Sequence, residues 1–192
     1  MAISTATAKA NIVNGVDVDA LFSTIDTIKG QPVIATFRFS NRNKWLDGGL
    51  NRSEMTKFYG ACQEHVHKRP FVLDNDEPPV LLGGDTAPNP VEYVLHALAG
   101  CLTSSLVYHA AARGIPIEEV ESKLEGDLDL RGFLGLDETV RRGYQGIRVT
   151  FKIKGDLTDV QKNELVNLGQ KYSPVFDIVS NGVTVTVGLE TT

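Results

Sequence analysis

The stretch Asn89-Pro90-Val91-Glu92-Tyr93-Val94-Leu95-His96-Ala97-Leu98-Ala99-Gly100-Cys101-Leu102-Thr103 constrains the chain more than any other. Asn89 is a good N-cap, Pro90 suits the first helical position, and Glu92 falls where a capping box needs a carboxylate. The helix should run to about Ala112. Val91, Leu95, Leu98 and Leu102 form one apolar stripe. The other faces carry Ala97, Ala99, Gly100 and the run Ala110-Ala111-Ala112, small residues that let another backbone come close. A helix that is apolar nearly all round belongs in a core, a subunit interface or a membrane. Glu92, His96, Ser104, Ser105 and His109 would each be costly in lipid, so no membrane is expected as a partner.

The rest of the chain must supply the cover. Its 192 residues suffice for one domain with an extension. Val18, Leu21, Phe22, Ile25 and Ile28 recur at helical spacing behind Asp17, and Gly30-Gln31-Pro32 ends that helix. Residues 1–14 read as a frayed end. Val33 to Trp45 reads as a strand, Leu46-Asp47-Gly48-Gly49 as a turn, Leu50 to Tyr59 as a second strand, and Phe71-Val72-Leu73 as a short third. Beyond the long helix, Val120 to Leu130 and Ile147 to Ile153 alternate as strands, with a charged loop from Gly132 to Gly143 between them. Thr158 caps a helix reaching Tyr172, and Val183-Thr184-Val185-Thr186-Val187 reads as the last strand. The order implies an α+β fold. It divides into an N-terminal extension with one helix, residues 1–32, and a main domain, residues 33–192.

The net charge of −5 argues against a nucleic-acid partner, which needs a basic surface. Two cysteines in a chain of this length do not make a disulfide framework, and no signal peptide is visible at the first residues. The expected location is the cytoplasm, with reduced thiols. Cys101 has two readings. It is a small buried hydrophobe, the usual state of a free cysteine, or a reactive thiol that needs a cationic neighbour. Arg38, Arg42 and Arg52 are the arginines on the early strands. Cys62 is a surface thiol, a substitute resolving thiol, or one ligand of a metal with His65 and His67. No fourth ligand is evident, so neither a metal nor a cofactor is expected.

The stretch Gly84-Asp85-Thr86-Ala87-Pro88-Asn89-Pro90-Val91-Glu92 through Cys101-Leu102 resembles the signature of the OsmC/Ohr family: a Pro-x-Glu helix start, a run of Ala and Leu, then a cysteine. The later strand pair, the helix and Lys171-Tyr172-Ser173-Pro174-Val175 also fit in order and spacing, so the resemblance covers about residues 33 to 190. It implies an intertwined homodimer with antiparallel sheets wrapped around the long central helices. It also implies a thiol-dependent peroxidase that reduces organic hydroperoxides, with Cys101 peroxidatic, Arg42 as the favoured arginine and Glu92 as the organising carboxylate. The chain departs from the family at two points. Ser173 stands where the family has its resolving cysteine, and a hydroxyl cannot form the disulfide. Glu92 lies nine residues before Cys101, one fewer than in the best-known peroxidases, which puts the two on opposite faces of an ideal helix. A single-cysteine peroxidase reduced by an external thiol is therefore the first expectation. An OsmC-like dimer without peroxidase turnover, binding a small apolar ligand at the subunit interface, is the alternative.

Overall fold

The computed structural model describes residues 10–190. The chain forms two compact units, one up to Val94 and one from Leu95 onward.

In the first unit, Asn14-Gly15 turns a small hairpin of β1 (Ile12–Val13) and β2 (Val16–Asp17), both turn residues having positive φ. Residues 12–14 are thus ordered, not frayed as expected; residues 1–9 lie outside the described residues. The Asp17 carboxylate accepts the Ala20 N–H and starts α1 (Val18–Gly30) as expected. The expected strand from Val33 is broken. Pro32 opens a 3-10 turn (Pro32–Ala35), and two short strands follow, β3 (Arg38–Phe39) and β4 (Arg42–Asp47). Both pair with one edge of the central strand β5 (Leu50–Gly60), while β6 (Gln63–Asn75) takes the other edge.

The sequence reading found only residues 71–73 of β6. Pro70 hid the rest, because proline removes a ladder donor. The register shows how it is tolerated. Met55 pairs with Phe71 but Lys57 pairs with Val66, so Pro70 sits in a bulge. Phe37, Phe39, Phe58, His65, His67 and Phe71 make a ladder of rings on this sheet, with centroids 4.8–6.4 Å apart. Gly60 makes room for it: a β carbon there would lie 2.2 Å from the Phe37 ring.

The long helix α2 (Pro90–Ala112) has the expected bounds. In the second unit, β7 (Glu119–Asp127) pairs antiparallel with β8 (Gly146–Lys154) along their whole length. The expected strand to Leu130 stops early because Asp129 caps a short helix, α3 (Leu130–Phe133). Thr158 caps α4 (Asp159–Tyr172) as expected, and Gln161 completes a capping box with it. A further helix, α5 (Pro174–Asn181), was not expected. The strand expected at Val183–Val187 is absent: residues 182–190 are exposed and pair with no strand among the described residues. Alternation supplied the propensity, but a strand also needs an edge to pair with.

Leu106, Ala110, Ile153 and Leu165 form the centre of this unit's core, with Val120, Phe151, Leu157 and Val166 packed against them. Leu106 lies on α2 and Leu165 on α4, and the two helices approach closely at Gly169. A β carbon there would lie 3.0 Å from the Leu102 carbonyl oxygen and 3.1 Å from Leu106 Cβ.

Two predictions follow from these contacts. Gly169→Val should push α4 off α2 and lower stability by about 1–3 kcal/mol, read as a fall in the urea midpoint. At the β5–β6 hairpin, Ala61 and Cys62 both hold left-handed φ, 49° and 61°, where L-residues are strained. Ala61→Asn and Cys62→Gly suit this two-residue turn and should each stabilise by about 1 kcal/mol. Unchanged or lower melting temperatures would contradict the turn geometry.

Candidate functional site

The start of α2 is held by the end of β6. Asp76 is almost fully buried, 3% exposed. Its carboxylate accepts four hydrogen bonds, from the N–H groups of Glu77 (2.8 Å), Gly84 (3.1 Å) and Thr86 (3.1 Å) and from the Thr86 hydroxyl (2.8 Å). Its own N–H donates to the Pro88 carbonyl. Glu77 accepts from the Asp85 N–H through its carbonyl and from Asn89 Nδ2 through its carboxylate. Gly83 passes so near that a β carbon would lie 1.9 Å from the Glu77 carbonyl oxygen. The Tyr93 hydroxyl donates to the Asp74 carbonyl at 2.7 Å.

Asn89 and Glu92 form the expected capping box. The Val91 N–H donates to Asn89 Oδ1 at 2.9 Å, and the Asn89 N–H donates to Glu92 Oε2 at 2.8 Å. Glu92 thus has a capping role, and its second carboxylate oxygen has no hydrogen-bond partner among the described residues. The bonds from Thr86, first through its N–H and then its hydroxyl, hold the Asp76 carboxyl below the usual carboxylate range, against burial. Its folded pKa is depressed. Its contribution to stability is therefore complete above the ordinary carboxylate pKa and is lost as pH falls through the depressed value. Sequence reasoning found the cap but not Asp76; its signal was an aspartate preceding a Gly-x-Thr loop, where acceptors for loop N–H groups are needed.

The three arginines differ in what they already hold. Arg52 makes two short bonds to Asp74, at 2.7 and 2.8 Å, and its pKa is raised first by that bonding. Arg38 lies 3.7 Å from Glu64 and over the Tyr59 ring. Arg42 has no ion-pair partner among the described residues, although Glu54 stands opposite it across the strands. Arg42, Lys44, Leu46, Arg52 and Glu54 line an open cavity of about 520 Å³.

Cys101 is in the second unit, half-buried on α2 beside the buried Leu98 and Leu102, and its thiol is free. Cys101, Ser105 and His109 succeed one another at i+4 along one ridge. Ser105 Oγ donates to the Tyr172 carbonyl at 3.3 Å, and the His109 ring stacks on Tyr172 with centroids 4.3 Å apart. Burial, then the charge of Arg113, pushes the His109 pKa down. The next residue after Tyr172 is Ser173, which is 2% exposed. Its hydroxyl accepts the Phe176 N–H at 3.1 Å and caps α5. The ridge that carries Cys101 therefore leads to the Tyr172–Ser173 junction within this unit.

Arg42 and Glu92 lie in the first unit, and no hydrogen bond or ion pair joins them among the described residues. Cys62 is an exposed thiol at the β5–β6 turn. His65 and His67 share a face of β6; His65 stacks on Phe58 and His67 lies tilted against it. No group of three His, Cys, Asp or Glu residues is placed to hold a metal among the described residues.

Comparison with known proteins gives the lineage. Residues 83–188 match the family model described as OsmC-like protein. None of the curated proteins compared with the chain matches it. Among solved structures, an OsmC-like protein from Mycoplasma pneumoniae has TM-score 0.57 at 14% identity, with 74% of this chain and 87% of that one covered. An organic hydroperoxide resistance protein OsmC from Legionella pneumophila has TM-score 0.52 at 20% identity, covering 75% and 91%. A structural-genomics structure has TM-score 0.53 at 25% identity, covering 77% and 93%. The family match spans more than half of the chain and contains the whole of α2 with Cys101, the strand pair β7–β8 and α4: this protein belongs to the OsmC-like family.

Proposed function

We propose that the protein is a thiol-dependent peroxidase that reduces organic hydroperoxides through Cys101 alone. The observation that carries this reading is the free, half-exposed Cys101 thiol, on the ridge whose next residues, Ser105 and His109, contact Tyr172. Family membership adds to it, as does the name of the Legionella relative. In the reaction, the Cys101 thiolate attacks one peroxide oxygen. The O–O bond breaks, the sulfur is oxidised to sulfenate, and the leaving alkoxide takes a proton to become the alcohol. Arg42, which unlike Arg38 and Arg52 has no carboxylate partner among the described residues, stabilises the anionic sulfur and the developing oxyanion. Glu92 is the carboxylate that the family resemblance assigns to orienting that guanidinium, although no bond joins the two among the described residues. An external thiol then condenses with the sulfenic acid, releasing water and leaving a mixed disulfide, and a second thiol restores Cys101. A reducing cytoplasm would supply it.

The second reading, a ligand-binding dimer without turnover, is favoured by one observation: Ser173 is a helix cap with its oxygen occupied, so the second-cysteine position serves structure. Steady-state consumption of cumene hydroperoxide with a dithiol reductant separates the two. The parent should turn over, Cys101→Ser should be inactive, and Arg42→Gln should be slower by about 10²-fold, the usual cost of losing one charge-stabilising donor. Mass spectrometry should show sulfenic and then sulfinic Cys101 without an intramolecular disulfide. A parent no faster than Cys101→Ser would leave the binding reading in place.

We also infer that the active form is a homodimer. Among the described residues only eight hydrophobic ones are buried, whereas Phe39, Trp45, Val66, Leu82, Val185 and Leu189 are at least two-thirds exposed. On α2 the exposed residues Ala97, Gly100, Ser104 and Tyr108 form a stripe of mostly small side chains, and a β carbon at Gly100 would meet nothing within 4 Å. Exposed apolar surface on this scale marks an interaction face. Sedimentation at low micromolar concentration should give a dimer, and Gly100→Trp should dissociate it. A stable monomeric parent would overturn the inference.

A further inference from the structure

We propose that Asp76 is a positioning residue for Glu92, acting through the Gly84–Pro88 loop and Asn89; its role in catalysis rests on the peroxidase reading above. The reason is where its bonds go. From one position at the end of β6, Asp76 holds residues 84 and 86 through its side chain and residue 88 through its backbone N–H. The next residue, Glu77, holds residue 85 through its carbonyl and residue 89 through its carboxylate. Five of the six positions from 84 to 89 are therefore tied to this pair of adjacent acids.

The loop has little freedom left. Leu82 and Asp85 hold left-handed φ, 65° and 55°, and Gly83 lies against the Glu77 backbone. The last residue of the loop is Asn89, and its N–H is the donor that fixes the Glu92 carboxylate. A shift of the loop would move that donor, and with it the Glu92 oxygen left free for the reaction. Carboxylate chemistry at position 76 is needed because four donors converge there. A carboxylate is acceptor-only, whereas an amide brings an NH₂ group that would face some of those donors. An unpaired donor at a buried site is costly, so the loop would shift to relieve it.

The test uses the full-length protein with Asp76→Asn, Thr86→Val and Glu92→Gln, and two readouts. Thr86→Val removes one of the four bonds and serves where Asp76→Asn fails to fold. The first readout is amide hydrogen exchange, which does not depend on activity. Both Asp76→Asn and Thr86→Val should speed exchange at Asn89 as well as at Gly84, while the α4 amides stay protected. The second is the rate of Cys101 oxidation by cumene hydroperoxide. It should fall at least about tenfold in Asp76→Asn, since small misplacements of reacting groups cost that much or more. Adding Asp76→Asn to Glu92→Gln should cost nothing further, because the first acts through the second. A purely structural role would instead lower both backgrounds alike. Unchanged exchange at Asn89 overturns the proposal whatever the activity, as does an unchanged oxidation rate in Asp76→Asn. A parent with no Cys101 oxidation removes the peroxidase reading and the catalytic role of Asp76 with it; faster exchange at Asn89 would still mark the loop linkage as real.

Discussion

A 23-residue helix with apolar side chains on nearly every face must be covered on nearly every face. Most of what the second unit does follows from that demand. Leu98, Leu102, Leu106, Ala110 and Ala111 are the buried residues of α2. At Gly169, α4 comes within backbone contact of Leu102 and Leu106, and Leu165 adds to the same core. Ile153 and Phe151 of β8 complete the cover from the sheet. The stripe at residues 97, 100, 104 and 108 is left outside that cover. An apolar helix that ends half-covered in one chain is the physical ground for reading the assembled state as a dimer.

Polar groups set the ends of this helix as the apolar ones set its middle. At the start, Asn89 and Glu92 satisfy N–H groups that a helix cannot satisfy itself. The two acids Asp76 and Glu77 then fix the loop that delivers Asn89. Their bonds matter more than the ion pairs along β7–β8, where Glu119–Lys154, Glu121–Lys152 and Asp127–Arg148 are all solvent-exposed. Exposed pairs contribute little because solvent screens them, whereas a buried carboxylate with four donors cannot be replaced without stranding some of them. The same contrast separates the arginines. Arg52 is tied to Asp74, while Arg42 keeps its charge available, which is the condition for acting on another anion.

The periodic and capped elements were legible in the sequence. Asp17, Asn89 with Glu92, and Thr158 announced three helix starts, and the structure has all three. Ile147 to Ile153 announced β8 because alternation over seven residues leaves few alternatives. What was not legible depended on partners distant in sequence. The long β6 was masked by Pro70, and only its register against β5 shows that the proline sits in a bulge. The Val183–Val187 strand was written in composition but finds no edge to pair with among the described residues. Asp76 looked like any loop aspartate, because its four donors lie one, eight and ten residues further on. Arg42 was chosen over Arg38 and Arg52 on resemblance. Its difference from those two, the lack of a carboxylate partner among the described residues, appears only once the cross-strand pairs are known.

Ser173 shows how one substitution can answer to fold and chemistry at once. A helix that begins with Pro174 lacks one N–H by construction, and its first turn needs an acceptor at the residue before. Serine supplies that acceptor to Phe176 and remains buried while doing so. A thiol at the same place is a weaker acceptor and a poorer cap, so a resolving cysteine there would weaken α5 as it gained a redox role. The serine gives α5 a firm start, and it leaves any sulfenic acid at Cys101 without a thiol at this position. Under the peroxidase reading proposed above, turnover then depends on thiol from solution, and the half-exposed setting of Cys101 gives such a thiol access. Under that reading, the capping of an eight-residue helix and the source of reducing equivalents are decided by the same side chain.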